Sequence, residues 1–107
     1  MTPNADCIFC KIVSKQLPAK IRHEDGECVA FNDINPKERV HILIVPKKHI
    51  PTIADMQDNE ETLMGHLVKV ARDLAKSNGC PGYKLMFFVG KEGGQEVFHV
   101  HLHLMGK

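Results

Sequence analysis

Hydrophobic positions recur along the chain with two different periods. Within residues 58–78, Leu63, Leu67, Val70 and Leu74 return at spacings of four, three and four, which draws an apolar stripe down one face of a long helix. Asp58 with Glu61 three residues on reads as a capping box at its start, with Asp in the place of Ser or Thr. Gly79 supplies the stop. A shorter helical pattern over residues 7–13 ends before Pro18.

The rest of the pattern is that of strands. Residues 41–45 are an apolar, β-branched run stopped by Pro46, which predicts a central strand buried on both faces. Residues 28–31 predict a strand after the turn Asp25-Gly26, with residues 20–23 as its hairpin partner. Residues 83–89 and 98–105 predict a fourth and a fifth strand. The sum is an α+β fold: about five strands in an antiparallel sheet, one long helix and a short N-terminal helix. No repeat, linker or low-complexity tract divides the chain, so residues 1–107 are expected to form a single domain.

Composition narrows the functional classes. Lys and Arg number 14 against 13 Asp and Glu, so neither sign is in excess, and a polybasic nucleic-acid module is excluded. The longest apolar run, residues 42–45, is far short of the ~20 residues a spanning helix needs. Residues 1–6 carry no basic stretch followed by an apolar run, so a secretory signal is not expected and the cytoplasm is the expected location. There the four cysteines stay reduced, and the close pair Cys7 and Cys10 suggests a metal site. Cys28 and Cys80 read as ordinary small residues.

Seven histidines stand out, three of them at 99, 101 and 103. The side-chain period of a strand is two, so these three face one way while Val100, Leu102 and Leu104 face the other. Three chemistries suit such a face: a solvated polar surface, a zinc site, or nucleophilic catalysis by a neutral imidazole. No carboxylate lies within the segment to complete a metal site. The preceding loop, Gly90-Lys91-Glu92-Gly93-Gly94-Gln95-Glu96-Val97, lets backbone N–H groups approach an anion, and so favours a phosphate over a metal.

Gly93-Gly94-Gln95-Glu96-Val97-Phe98-His99-Val100-His101-Leu102-His103 resembles the signature of the histidine triad superfamily, in its Hint branch of nucleotide-binding proteins. Three earlier blocks carry the resemblance through nearly the whole chain: Cys7-Ile8-Phe9-Cys10-Lys11-Ile12, Phe31-Asn32-Asp33-Ile34-Asn35-Pro36, and residues 41–50 with Ile44-Val45-Pro46-Lys47-Lys48-His49. The resemblance implies a purine nucleoside 5′-phosphoramidate hydrolase that works through a covalent nucleotidyl-histidine. His101 would be the nucleophile, His103 and His41 would contact phosphate oxygens, His99 would orient His101, and Gln95 would assist the leaving group. Gly94 and the backbone of Gln95, Glu96 and Val97 would cradle the phosphate. Asn32 and Asp33 would hold the ribose, and Ile8, Phe9, Phe31 and Ile34 would wall the base.

The resemblance also implies a symmetric homodimer, AMP or GMP and their phosphoramidates as ligands, and no nucleic-acid or membrane partner. In some bacterial relatives a cysteine pair is completed by two histidines into a structural zinc site, which here would be Cys7, Cys10, His49 and His99. A nucleotide-binding module of little turnover, acting through protein partners, is the alternative. Two departures alter the expectation. Phe88 stands where Hint relatives carry an asparagine beside the phosphate, and the sequence stops at Gly106-Lys107, where many of them continue with a tail. His23 and His66 match nothing in the motif and read as surface or helix-face residues.

Overall fold

The computed structural model describes residues 6–107, so the reading of residues 1–5 lies outside it. In chain order the elements are α1 (Ile8–Val13), β1 (Ile21–Glu24), β2 (Cys28–Asn32), β3 (Val40–Pro46), α2 (Glu61–Ser77), β4 (Tyr83–Met86) and β5 (Leu102–Gly106). The five strands form one antiparallel sheet in the order β1-β2-β3-β5-β4. Among the described residues no helix is long and apolar enough to cross a membrane.

β3 lies at the centre, and every one of its residues is buried. Its alternation serves two apolar layers rather than one. Ile42 and Ile44 pack with Ala30, Leu102 and Leu104 against the α2 stripe of Leu67, Val70, Ala71, Leu74 and Ala75. Leu43 and Val45 turn the other way and pack with Val29, Phe31, Phe9 and the two N-terminal cysteines. α2 therefore covers one face of the sheet and α1 part of the other, which holds the second face open for a site.

Three boundaries differ from the sequence pattern. β5 begins at Leu102, not at residue 98, and β4 ends at Met86. The β3–β5 ladder stops at the Ile44–Leu102 pair, two residues before Pro46, which has no N–H to give; the Val100 N–H donates instead to the Ile50 carbonyl at 2.8 Å. With β5 starting so late, β4 past Met86 has no ladder to join. The capping contact is also shifted by one residue. Glu60, not Glu61, accepts a 2.7 Å bond from the Gln57 N–H, and the turn at Asp58–Glu60 is 3₁₀ before α2 proper. Lys48 forms an ion pair with the Glu60 carboxylate, which explains why a buried glutamate is tolerated here.

Candidate functional site

The alternation through residues 99–104 survives the loss of regular pairing. Val100, Leu102 and Leu104 enter the core under α2, and the histidines turn the other way, His99 and His101 against Phe9 of α1 and His103 against His41 and Phe88. His101 is buried and its ring meets Phe9 edge-on at 5.0 Å between centroids. Its Nδ1 lies 2.7 Å from the His99 carbonyl oxygen, so Nδ1 carries the proton and donates, and Nε2 keeps a lone pair. Burial pushes its pKa below the ordinary histidine value, which favours the neutral ring.

His103 is set by a relay of hydrogen bonds that starts on the main chain. The Lys37 N–H donates to His41 Nδ1 at 3.0 Å, so the proton of His41 sits on Nε2. That Nε2–H faces His103 Nδ1 at 3.0 Å and the Asp33 carboxylate at 3.3 Å. His103 Nδ1 accepts, and its own proton must lie on Nε2. This Nε2 is buried and has no hydrogen-bond partner among the described residues. An unmet buried donor costs about 1–3 kcal/mol, so an oxygen-bearing ligand has a place waiting for it. Burial, reinforced by the neighbouring His101 and His41, pushes the His103 pKa down to about 4, so the ring is neutral near neutral pH.

A cavity of about 750 Å³ opens before these two rings. Ile8, Phe9, Phe31 and Ile34 form its apolar side, Asn32 and Asp33 one end, and Gly94, Glu96 and Val97 the other. Ile34 stands at the rim, 91% exposed, rather than in a wall. Asp33 Oδ1 caps its own turn by accepting the Asn35 N–H at 2.8 Å. The loop over residues 90–95 closes on itself: N–H groups of Gly93 and Gln95 bond the Gly90 carbonyl, and that of Gly94 bonds the Lys91 carbonyl. A Cβ at Gly93 would sit 2.4 Å from the Val89 carbonyl oxygen, and Gly94 has φ of +89°, so both positions require glycine. Among the described residues the N–H groups of Glu96 and Val97 have no hydrogen-bond partner, and both residues line the cavity.

Two residues expected at the reacting centre are placed elsewhere. Gln95 is buried, and its side chain braces the loop: Nε2 donates to the carbonyls of Pro51 and Val97 at 2.7 and 3.0 Å, and Oε1 accepts the Gly90 N–H at 2.9 Å. All of its polar atoms are spent there, and it does not line the cavity. His41 is bonded to His103 Nδ1 and does not line the cavity. Phe88 does face the site. Its ring lies 4.9 Å from that of His103, while Phe87 packs into the α2 core.

A second constellation adjoins the first. Cys7 is the N-cap of α1, and its Sγ accepts the Cys10 N–H, so one helical turn brings the two sulfurs to one face. His99 Nδ1 lies 3.3 Å from Cys7 Sγ and 3.5 Å from Cys10 Sγ; His49 Nδ1 lies 3.3 Å from Cys10 Sγ and 3.2 Å from His99 Nδ1. A tetrahedron with zinc–nitrogen bonds near 2.0 Å and zinc–sulfur bonds near 2.3 Å has edges of about 3.3–3.8 Å, so the four donors fit such an ion. His99 Nε2 donates to the Pro46 carbonyl at 2.8 Å, which leaves Nδ1 bare for a metal. No disulfide joins the cysteines.

The sequence reading missed the Lys37 main-chain bond that sets the histidine relay. A signal existed in the four-residue spacing of Lys37 and His41, which suits a loop closing on an imidazole.

Comparison with known proteins agrees with this geometry. Residues 6–107 match the family model described as the scavenger mRNA decapping enzyme C-terminal binding domain, a histidine-triad-like domain. Protein HitA of Neisseria gonorrhoeae is 44% identical over 102 residues, covering 94% of this chain and 95% of the relative. A HIT family hydrolase from Legionella pneumophila superposes with a TM-score of 0.92 at 46% identity, covering 94% of this chain and 92% of that one. A histidine triad protein from Clostridium difficile superposes with a TM-score of 0.96 at 39% identity, covering 99% and 94%. The chain belongs to the histidine triad family.

Proposed function

We propose that this protein hydrolyses nucleoside 5′-phosphoramidates through a nucleotidyl-histidine formed on His101. The observation that carries the reading is the pairing of two opposite tautomers. His101 presents a bare Nε2, and the adjacent His103 presents an unspent Nε2–H, with ring centroids 4.9 Å apart. A nucleophile needs the first and a phosphoryl oxygen gaining charge needs the second.

The reaction then has two balanced halves. The His101 Nε2 lone pair forms a bond to the α-phosphorus while the P–N bond breaks, and the departing amine takes a proton from solvent. Water next attacks the phosphorus and gives up a proton to solvent, His101 leaves with its electron pair, and the nucleoside monophosphate is released. His103 Nε2–H and the N–H groups of Glu96 and Val97 hold the phosphate oxygens, and Asp33 accepts from the ribose hydroxyls. The structural neighbour from Legionella pneumophila is a HIT family hydrolase, which supports the hydrolytic class. Release of amine from adenosine and guanosine phosphoramidates, followed side by side, tests the reading; release from neither overturns it.

The same reading includes zinc held by Cys7, Cys10, His49 and His99. The ion would supply a crosslink between α1, the segment after β3 and the triad segment, with no part in bond breaking. It also includes a cytoplasmic homodimer in which the β4 edge strands of two copies continue the sheet. The exposure of Tyr83 on that edge supports it, and a monomeric mass at micromolar concentration would rule it out.

The alternative of a binding module with little turnover has one observation in its favour. Phe88 covers His103 with a ring that neither donates nor accepts, and one oriented donor at such a centre is worth about 10²–10³ in rate. Turnover is therefore expected to be slow, and Phe88→Asn is expected to raise kcat by about tenfold or more. Unchanged kcat and KM in that variant would show that Phe88 does not limit the rate.

A further inference from the structure

His23 and His66, one on β1 and one on the face of α2, are only partly exposed. His23 on β1 and His66 on α2 lie 43 positions apart in sequence, yet both Nε2 atoms stand 2.7 Å from the same oxygen, Asp25 Oδ2. The third group at that oxygen is the Cys28 thiol, with Sγ at 3.6 Å. The other oxygen, Oδ1, is pinned by the N–H groups of Glu27 and Cys28 at 2.8 and 2.9 Å. The carboxylate cannot rotate without losing both main-chain bonds. It is a fixed ligand, with nitrogen and sulfur donors already grouped around it.

We propose that His23, Asp25 and Cys28 form a second transition-metal site, distinct from the Cys7/Cys10 cluster, that takes a divalent ion of borderline softness such as Zn²⁺. The three ligand atoms all lie within 4.8 Å of one another. Nitrogen, oxygen and sulfur together are a donor set that suits zinc and cobalt, and does not suit magnesium or calcium. The ion takes the place of two protons now pointing at Asp25 Oδ2. Cys28 gives up its thiol proton to solvent as the metal–sulfur bond forms. His23 moves its proton from Nε2 to Nδ1 and binds through the freed Nε2. A zinc site with bonds of about 2.0–2.3 Å needs ligand edges of about 3.3 Å, so the His23–Asp25 contact opens by roughly half an ångström. The imidazole of His23 is 36% exposed and free to make that movement.

His66 keeps its present bond and becomes the support of the ligand, donating to the carboxylate from α2. A hydrogen-bonded outer shell of this kind orients a metal-binding carboxylate. Cys28 lies at the closed end of the site and His23 at the open end, which leaves the fourth position for water. The ion would tie the β1–β2 hairpin to itself and, through His66, to α2, without entering the cavity before His101.

Zinc alone is the probe. Equilibrium dialysis with elemental analysis is expected to find one more zinc per chain in the wild type than in His23→Gln or Cys28→Ser. Cobalt is expected to add a thiolate charge-transfer band in the near ultraviolet that Cys28→Ser lacks, and binding at this site releases about one proton. His66→Ala is expected to weaken the extra ion by about 10–100-fold while keeping the band. His23→Gln alters only a half-exposed ring, so it remains informative if Cys28→Ser folds poorly. Equal zinc counts and affinities in the wild type and His23→Gln would overturn the proposal.

Discussion

His101→Ala is expected to lower turnover of a nucleoside phosphoramidate by about 10⁴-fold or more while nucleotide binding changes only a few-fold. The size follows from removing the group proposed to form the covalent bond, for which no neighbour can substitute. His99 faces the cysteine cluster, and His103 carries its proton on the nitrogen at the cavity, so neither presents a lone pair to phosphorus. Binding survives because Phe31, Asp33 and the Glu96–Val97 backbone are untouched. His41→Ala should act differently. It removes the donor that sets the His103 tautomer, so kcat should fall while the adduct on His101 still forms. A substrate labelled on phosphorus, quenched in acid-free conditions and mapped by mass spectrometry, separates the two variants. A labelled adduct on any histidine other than His101 would overturn the assignment.

Much of this site was legible because its residues are close in sequence and follow a strand period. Histidines at 99, 101 and 103 needed only alternation to share a face, and the glycines at 93 and 94 needed only adjacency to mark the loop. The α2 stripe was legible for the same reason, since helix periodicity is local. What could not be read was decided by pairing at a distance. The start of β5 depends on the Val100 N–H turning to the Ile50 carbonyl, 50 residues earlier in the chain. The inward turn of Gln95 depends on the Pro51 carbonyl, 44 residues away. His41 contacts His103 across a gap of 62 residues, which bonds it to Nδ1 of that ring and leaves it off the cavity lining. His23 and His66 were the furthest from any local signal, because only the fold brings both to Asp25.

Removal of metal from the Cys7, Cys10, His49 and His99 cluster is expected to lower the melting temperature by about 10 °C or more. A closed four-ligand zinc site contributes folding free energy directly, because the unfolded chain has no preformed site. For a chain of this length each 1 kcal/mol shifts the midpoint by roughly 4–8 °C, so a loss of only a few kcal/mol reaches that size. The loss is amplified by burial. Cys7, Cys10 and His99 are all buried, and without an ion two sulfurs and two imidazole nitrogens are left within 4.8 Å of one another. The ring of His99 is also what holds the main chain whose carbonyl orients His101. Chelation should therefore lower kcat more than nucleotide affinity, although the ion lies outside the reaction. Protein purified without added metal should carry about one zinc per chain that Cys10→Ser lacks. Zinc should restore the melting temperature of the chelated wild type to that of the untreated protein, and should not bring Cys10→Ser to that value. A chelated wild type that melts where the untreated protein does would refute a structural role for the cluster.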